Sequence, residues 1–404
     1  HRVDRRQRQM CIRDSRYRDS FGLAATKYWL NKLSPNAEVF VTSFDLWQHN
    51  LSLVKPDVVV LNHAFGARNE AILRWANQNG ATSYLMFTEG RPNTEEQVEW
   101  YLSQRGKADY VLAWSSWLGD MFDNAIVTGC PRFDIYQYPY NKLIEPRQFV
   151  LDKYGLNPHK GTLLVTTSFP QAKFSYQGVS FNEQDWKDLK VTSISDRKNP
   201  TEFAKQEKRA QHLFKTQLTG YVDASTVSDW NIVIKPHPME PAKEWERYCD
   251  ENSFTLAPAD YVFNALSAAD FVINRAGCLT TQDAWLAVIG KPVIQLNPNN
   301  QELTGSSLEA FGIDSDEIDK KRKFLNKYGF SFQNSSRKVA ETILETAKPA
   351  NVDRSIVDRI KWQKAQTEYD NSHVYPDLSS MHPVKAITSN VIKNWETKIA
   401  EVLS

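Results

Sequence analysis

The segment of residues 230–292 constrains the fold of this 404-residue chain more than any other stretch. It holds two short apolar runs, residues 231–234 and 270–273, which are separated by a helical pattern and followed at once by polar residues. Apolar runs that alternate with helices are typical of parallel strands buried on both faces. Ligands of such sheets bind beyond the carboxyl ends of the strands. The two polar clusters therefore predict a ligand site, and their composition indicates nucleotide phosphate.

Strand and helix patterns alternate in the same way through most of the chain. This alternation predicts parallel sheets that are covered by helices on both faces. The predicted fold class is α/β, with two Rossmann-like domains whose parallel sheets face a central cleft. The predicted strands are residues 38–42, 57–62, 83–87, 109–113 and 125–128 in the first domain, and 162–167, 231–234, 270–273 and 292–296 in the second.

Proline-rich sequence between residues 136 and 160 predicts the boundary between these domains. We expect an N-terminal Rossmann-like domain at 21–140, a linker at 141–160 and a C-terminal, nucleotide-binding Rossmann-like domain at 161–345. Residues 346–404 read as amphipathic C-terminal helices, with a crossing back to the N-terminal domain as one option.

The first twenty residues have a different character from the rest. They carry seven arginines and almost no apolar pattern, and their MCIRDS string resembles translated sequencing-library adapter. We therefore expect residues 1–20 to be a disordered or artefactual extension. A Rossmann-like domain should open on an apolar strand, so we expect the first strand to be missing or overwritten.

Composition limits the partners of the chain. The formal net charge is only +1, so the protein as a whole produces no field that attracts nucleic acid or an anionic membrane. The four cysteines lie far apart, which favours neither a disulfide framework nor a zinc site and fits a reducing cytoplasm. No apolar run approaches the ~18 residues of a membrane span. We expect a cytoplasmic protein whose membrane contact, if any, is peripheral to the inner membrane.

The first polar cluster is Lys235-Pro236-His237-Pro238. Proline fixes its own φ and pushes its predecessor toward extended backbone, so the two prolines should hold His237 in place. A histidine held beyond a strand end can bind a phosphate oxygen and can protonate a leaving phosphate. The alternative is an exposed loop histidine without function. Its position after a predicted strand favours the functional interpretation.

The second polar cluster reads NRAGCLTTQD and begins at Asn274. Gly277 permits a close approach of backbone to ligand, and a helix from about residue 279 would offer free N–H groups to an anion. The hydroxyls of Thr280 and Thr281 add further donors. A plain helix N-cap with a tight turn would use the same residues. The second cluster indicates a ligand site only together with the first cluster, which follows another strand.

Two motifs of the N-terminal domain add candidates. Glu89, in FTEGRP, can take a proton from a hydroxyl group in the cleft, or it can be a solvated side chain paired with Arg91. Arg132, in TGCPRFD, can bind phosphate bidentately or pair with Asp134, and the sequence leaves both open. His63 is a weaker candidate for a contact with the acceptor. The alternative is a histidine that only makes structural hydrogen bonds within its loop.

Several common cofactor motifs are absent from the sequence. It contains no HExxH motif and no closely spaced cysteine and histidine cluster, so we predict no metal site. It also lacks GxxxxGK[ST] and GxGxxG, which argues against P-loop and dinucleotide-dependent enzymes.

The motifs TGCPRFD, KPHPMEP and GCLTTQDA followed by GKPVI resemble those of the surface-carbohydrate and capsule-polysaccharide biosynthesis glycosyltransferases of GT-B fold. The CDP-glycerol glycerophosphotransferases of teichoic acid synthesis look similar. FTEG also resembles the acidic-glycine motif of the bacterial sialyltransferases, which, like Kdo transferases, carry an HP motif. The resemblance covers most of residues 21–345 through four short motifs, and it implies a GT-B protein with an acceptor domain followed by a donor domain.

This resemblance implies a metal-independent transferase without a cofactor, whose partners are a CMP- or CDP-linked nucleotide-sugar donor and a glycan or glycolipid acceptor. It implies that His237 contacts the donor phosphate, that Thr280 and Thr281 bind phosphate or nucleotide, and that Glu89 is the catalytic base. His63 and Arg91 are the acceptor-side candidates. With the strand-end residues included, the donor and phosphate-binding candidates are Lys235, Pro238, Asn274, Arg275, Gly277, Thr280, Thr281 and Arg132.

Two other functions remain open from the sequence. A UDP-GlcNAc 2-epimerase-like enzyme would share two Rossmann-like domains and would act on one bound UDP-sugar without an acceptor. A catalytically inactive GT-B module would bind nucleotide or glycan without turnover.

Overall fold

The computed structural model describes residues 7–11, 16–42, 46–87, 95–169, 172, 200–222, 227, 229–237, 240, 242–258, 260–275, 293–296, 334–352, 359–372 and 388–404. The chain divides into two units, residues 1–143 with 324–404, and residues 144–323. Parallel strands form the sheets of both units. The predicted fold class, α/β with two Rossmann-like units that are each built on a parallel sheet, is confirmed.

The first unit contains a four-stranded parallel sheet of order β3-β4-β5-β6 and a two-stranded parallel sheet of β1 and β2. Its strands are β1 (Gln7–Cys11), β2 (Glu38–Thr42), β3 (Val58–Leu61), β4 (Thr82–Leu85), β5 (Tyr110–Ala113) and β6 (Ala125–Val127). The helices are α1 (Arg16–Leu33), α2 (Trp47–His49), α3 (Ala67–Asn79), α4 (Glu95–Leu102) and α5 (Ser116–Gly119), with a π-helix at Asn50–Val54 and 3₁₀ helices at Pro131–Tyr136 and Tyr140–Leu143.

The second unit contains a five-stranded parallel sheet of order β11-β10-β7-β8-β9. Its elements are α6 (Arg147–Tyr154), β7 (Gly161–Thr166), α7 (Pro200–Tyr221), β8 (Trp230–Lys235), α8 (Ala242–Asn252), β9 (Thr255–Leu256), α9 (Val262–Ala268), β10 (Phe271–Arg275) and β11 (Val293–Leu296).

Both faces of the second sheet are buried, as the continuous apolar runs predict. Ile232 and Ile234 of β8 pack on one face in a cluster with Phe214 of α7 and Trp245 of α8. Val233, between them, packs on the opposite face with residues of α6 and α9. Successive side chains of a strand point to opposite faces, so one short run serves two cores.

The last three helices of the chain belong to the first unit: α10 (Ser335–Thr346), α11 (Arg359–Ser372) and α12 (Ser389–Leu403). Helix α12 packs along α1, where Lys27 and Glu396 form an ion pair of 2.9 Å. Helix α11 is tied to the π-helix, because the Trp362 indole donates a hydrogen bond to Asn50.

Helix α10 belongs to the first unit. The sequence prediction places most of this helix in the second domain, which it ends at residue 345. The helix packs on α1 and on the 3₁₀ helix Pro131–Tyr136 of the first unit. The residues after it continue along the same unit, since the N–H of Ala350 donates to Asp57 and the N–H of Asn351 donates to the Asn79 carbonyl. These contacts between residues far apart in the chain carry no local signature in the sequence.

The described residues among the first twenty are ordered, whereas we expected a disordered or artefactual extension; whether the segment is artefactual stays a prediction. Residues 7–11 form β1, which pairs in parallel with β2 from Gln7 opposite Glu38 to Cys11 opposite Thr42, and α1 begins at Arg16. Backbone hydrogen bonds hold such a pair whatever the side chains are, so the strand needs no apolar alternation. The first strand that we expected to be missing is therefore present in polar sequence.

Within the described part of the chain, no helix combines the length and the apolar character needed to cross a membrane.

Gly22 is required where α1 meets the 3₁₀ helix Pro131–Tyr136. A Cβ added at Gly22 would lie 2.7 Å from the backbone nitrogen of Arg132 and 3.0 Å from the carbonyl carbon of Pro131. Backbone atoms cannot rotate away, so we predict that Gly22→Ala lowers the free energy of unfolding by about 1–3 kcal/mol. Urea unfolding followed by tryptophan fluorescence measures this change.

Gly220→Ala is the matched control, because a Cβ there meets no atom within 4 Å and the residue also lies in a helix. We expect unchanged stability or a gain of up to about 1 kcal/mol from the better helix propensity of alanine. Equal effects of the two substitutions would contradict the close contact at Gly22.

Candidate functional site

Three polar side chains form a row across the carboxyl edge of the second sheet. Asn274 of β10 is in register with Thr166 of β7, and Thr166 is in register with Lys235 of β8. The alternation of side chains along a strand puts this row on the same face as Leu164 and Val233, which pack on α6 and α9. The structure therefore brings together two of the predicted donor-binding residues, Lys235 and Asn274, and adds Thr166 between them.

The amide of Asn274 is oriented by its neighbour in the row. The Thr166 hydroxyl donates to Asn274 Oδ1 at 3.0 Å. Asn274 is 0% exposed, and among the described residues its Nδ2 has no hydrogen-bond partner. A buried donor without an acceptor costs about 1–3 kcal/mol. An acceptor oxygen of a ligand at this edge would remove that cost.

Lys235 supplies a positive charge at the other end of the row. Its ammonium donates to the backbone carbonyl of Asp260 at 2.8 Å. Burial lowers the pKa of Lys235 to about 8, against the opposing attraction of the Asp260 carboxylate, and the charge of Lys153 lowers this pKa further. Lys235 is thus mainly protonated at pH 7, and its ammonium carries three donors.

His237 lies two residues beyond β8, and its main chain is fixed by Glu240. The His237 N–H donates to Glu240 Oε1 at 3.1 Å and lies 3.3 Å from the Thr167 hydroxyl oxygen, while its carbonyl accepts from the Glu240 N–H at 2.8 Å. Burial raises the pKa of Glu240, and hydrogen bonds from Thr167, Phe169 and His237 act in the opposite direction. The half-buried imidazole is therefore carried by a backbone with little freedom.

Arg275 lies on the opposite face of the sheet from Asn274. Its guanidinium forms an ion pair of 2.5 Å with Glu207 of α7, donates to the Ser168 carbonyl and lies 4.3 Å from the ring centroid of Phe169. These contacts give Arg275 a structural role between β10 and α7. Its predicted phosphate contact stays a prediction, and it would compete with this ion pair.

In the first unit, Arg132 lies in the 3₁₀ helix Pro131–Tyr136 and is 7% exposed. Its guanidinium carbon lies 4.6 Å from the ring centroid of Phe133 and 5.6 Å from that of Trp114. A cavity lies beside it at the carboxyl ends of β4, β5 and β6, lined by Asp19, Gly22, Leu23, Met86, Phe87, Trp114, Cys130 and Pro131. Arg132 thus stands at a strand-end cavity of the first sheet, and its contact with phosphate stays a prediction.

Asp134 caps α10. Its carboxylate accepts hydrogen bonds from the N–H groups of Ser335 at 2.9 Å and Ser336 at 2.7 Å, and from the Ser336 hydroxyl at 2.6 Å. A carboxylate at a helix N-terminus satisfies free N–H groups and favours the helix dipole. The interpretation that paired Asp134 with Arg132 missed this partner, which lies two hundred residues away.

His63 follows β3, as predicted, and has partners within its own loop. Its Nδ1 accepts from the N–H of Phe65 at 3.2 Å, and its carbonyl accepts from the Asn69 amide at 2.7 Å. Its ring lies 5.9 Å from that of Trp100 in an edge-on contact. These contacts favour the structural interpretation of His63 over the acceptor contact.

The other predicted site residues lie outside the described residues, and their roles stay predictions: Glu89, Arg91, Pro238, Gly277, Thr280 and Thr281. In the ranges that the structure describes, no group of three or more histidine, cysteine, aspartate or glutamate side chains is arranged to hold a metal ion.

Sequence reasoning missed Thr166 and Glu240. Glu240 stands three residues after His237 with a proline next to the histidine, which is the spacing of a capping box, so a signal was present in KPHPMEP. Thr166 was predicted only as part of a strand. A hydroxyl residue that ends an apolar run is the signal there, since the strand end is where ligands bind.

No protein-family model and no curated protein matches the chain. Among solved structures it is similar to the S. aureus MnaA–UDP co-structure, with 12% identity over 86% of this chain and 100% of that chain, and a TM-score of 0.46. It is also similar to UDP-GlcNAc 2-epimerase from Neisseria meningitidis bound to UDP-GlcNAc (14%, 84% and 100%, TM-score 0.46) and to the wall teichoic acid polymerase TagF (11%, 84% and 88%, TM-score 0.47). With TM-scores below 0.5, these likenesses support no inference about activity.

The cap at Asp134 should make stability depend on pH. Burial raises the pKa of Asp134 to about 6 from its usual 3.8, so the folded chain binds a proton in this range that the unfolded chain does not. The stabilisation of the folded state by this bound proton is complete below pH 3.8 and is lost as the pH rises through 6. We predict that wild type gains stability relative to Asp134→Asn when the pH is lowered from 7 to 5, as measured by thermal unfolding.

Asp123→Asn, at an exposed aspartate of the same unit, is the matched control and should track wild type. A stability difference between wild type and Asp134→Asn that stays constant from pH 7 to 5 would contradict a raised pKa at the cap.

Proposed function

We propose that this protein is a metal-independent GT-B glycosyltransferase of surface-polysaccharide biosynthesis. It would transfer a sugar from a CMP-activated donor of the Kdo or nonulosonate type, or a group from a CDP-linked donor, to a glycan acceptor. The observation that carries the proposal is the row of Lys235, Thr166 and Asn274 at the carboxyl edge of the second sheet, beside the fixed main chain of His237.

The row suits a ligand that only accepts hydrogen bonds. Asn274 presents a buried N–H donor, and Lys235 presents an ammonium that uses one of its donors on the Asp260 carbonyl. The phosphate of a nucleotide is ionised near neutral pH and has only acceptor oxygens. Two strand-end donors, one of them charged, therefore match a phosphate better than a neutral sugar, which would also need acceptors from the protein.

Transfer would then need few protein groups. Glu89 takes the proton of the acceptor hydroxyl, whose oxygen forms a bond to the anomeric carbon of the donor sugar while the bond from that carbon to the phosphate oxygen breaks. The electron pair of the broken bond stays on the nucleotide. His237 and Lys235 stabilise the negative charge of the leaving phosphate, as preorganised donors do. The place of Glu89 in this scheme rests on the resemblance of FTEG to the acidic motif of the sialyltransferases.

Nucleotide binding can be tested with CMP, CDP, UDP, GDP and ADP in a thermal-shift screen. A nucleotide that binds only folded protein raises stability, by about 2.7 kcal/mol at a hundredfold excess over Kd. We predict a shift with a cytidine nucleotide that is lost in His237→Ala and Lys235→Met.

Two matched controls lie at the amino edge of the same sheet, in the turn before β7: His159→Ala and Lys160→Met. They remove the same chemical groups and should keep the shift. No shift with any nucleotide in wild type would contradict the proposal, and a shift with UDP alone would contradict the cytidine assignment. Release of the sugar from a cytidine donor, tested in wild type and Glu89→Gln, then separates a transferase from an inactive binding module.

The lowered pKa of Lys235 predicts how binding depends on pH. Lys235 loses its charge as the pH rises through about 8, whereas the charge of a nucleotide phosphate is complete by then because its second pKa is about 6. Affinity for the nucleotide should therefore fall between pH 7 and 9 in wild type. It should stay flat in Lys235→Met, as measured by titration calorimetry. Equal slopes in both proteins would show that Lys235 does not face the phosphate.

A further inference from the structure

Glu240 is the most extensively hydrogen-bonded carboxylate of the described residues of the second unit. It is 4% exposed, and both of its oxygens accept hydrogen bonds. Oε1 accepts from the Thr167 hydroxyl (2.7 Å), the Phe169 N–H (3.0 Å) and the His237 N–H (3.1 Å), and Oε2 accepts from the Trp245 indole (2.8 Å) and the Gln211 amide (3.3 Å).

The five donors come from four separate parts of the unit. Thr167 and Phe169 follow β7, and His237 follows β8, so the carboxylate joins the ends of two neighbouring strands. Gln211 lies in α7 and Trp245 lies in α8, the two helices that cover this face of the sheet. One side chain therefore fixes both strand-end loops against both helices.

The chemistry of the donors requires a carboxylate here. Three of the five donors, the N–H groups of Phe169, His237 and the Trp245 indole, cannot turn to offer an acceptor, whereas the Thr167 hydroxyl and the Gln211 amide can. A carboxylate accepts from all five at once. A glutamine of the same shape would place an NH2 group against N–H donors, whichever way its amide turned.

We propose that Glu240 is a positioning residue for His237: its buried carboxylate holds the His237 main chain and thereby orients the imidazole at the carboxyl edge of the sheet. The carboxylate acts through the backbone N–H of His237, and it anchors the adjoining β7 loop through Thr167 and Phe169. The contact of the imidazole with a nucleotide phosphate rests on the proposed function, whereas its orientation by Glu240 does not.

A purely structural role is the competing explanation, because a buried carboxylate with five partners also stabilises the core around Trp245. The two explanations differ at His237. If Glu240 only stabilises the unit, Glu240→Gln lowers the melting temperature and leaves the imidazole of the folded protein unchanged. If Glu240 positions His237, the imidazole environment changes at temperatures where the protein is still folded.

The test is an NMR measurement of the full chain with 13C-labelled histidine rings. The chain contains eight histidines, and His237→Gln assigns the signal of interest. We expect Glu240→Gln to shift or broaden the His237 signal and to leave the signal of His159, at the opposite edge of the sheet, in place. The matched control is Glu244→Gln, which removes another carboxylate of α8, one that pairs with Lys208 of α7 at 2.9 Å.

Rescue by a second substitution sharpens the test. Trp245→Phe removes the N–H that would oppose the amide of Glu240→Gln, so the double variant should recover part of the wild-type His237 signal. If Glu240→Gln does not fold, Glu240→Asp carries the test, since the shorter side chain keeps the charge and withdraws the carboxylate from the His237 N–H. An unchanged His237 signal in whichever of these single variants folds overturns the proposal.

Turnover gives a second readout once a donor is known. A misplaced catalytic group can cost on the order of 100-fold in rate, so Glu240→Gln should lower kcat by that order with a smaller change in KM. Added to His237→Ala, the same substitution should cost little more, because the group that it positions is gone. If no nucleotide binds to wild type, the proposed function fails, and the NMR result still decides the role of Glu240.

Discussion

Parallel pairing of strands is the constraint on which the rest of this structure depends. When every strand of a sheet runs the same way, all carboxyl ends meet at one edge, and each return needs a crossover through a helix. Lys235, Thr166 and Asn274 are separated by long stretches of sequence and still come into register. The candidate site is thus a direct product of topology, because three residues become neighbours only through the order β10-β7-β8.

In both units a buried carboxylate connects separate elements through hydrogen bonds. Asp134 accepts hydrogen bonds from the first N–H groups of α10, and Glu240 accepts them from the loops after β7 and β8 and from α7 and α8. In each case one short side chain satisfies several backbone donors that the core would otherwise leave without partners. A buried carboxylate is costly unless all its hydrogen bonds are made. Only one packing of the surrounding elements makes them all, so the carboxylate specifies how the apolar layers pack.

Local pattern predicted the strands closely, and it predicted nothing that depends on distant partners. The strand 38–42 has the same bounds in sequence and structure, and Lys235 and Asn274 lie at strand ends as expected because periodicity and apolar runs are local properties. The partner of Asp134 could not be read in this way, since Ser335 and Ser336 carry no signal that names it. Arg275 shows the same limit, because its ion pair with Glu207 depends on where α7 crosses the sheet.

The cap of α10 by Asp134 also orders events during synthesis. The second unit is one continuous stretch, residues 144–323, whereas the first unit needs helices encoded after it. At roughly 5–20 residues per second, the stretch between Asp134 and Ser335 takes on the order of 10–40 s to translate. Throughout that time α1 lacks α10 and α12, which pack on it, and Asp134 lacks the N–H groups of Ser335 and Ser336. The first unit to be made is thus the last to be completed, because α1 gains its C-terminal neighbours only when the end of the chain has been synthesised.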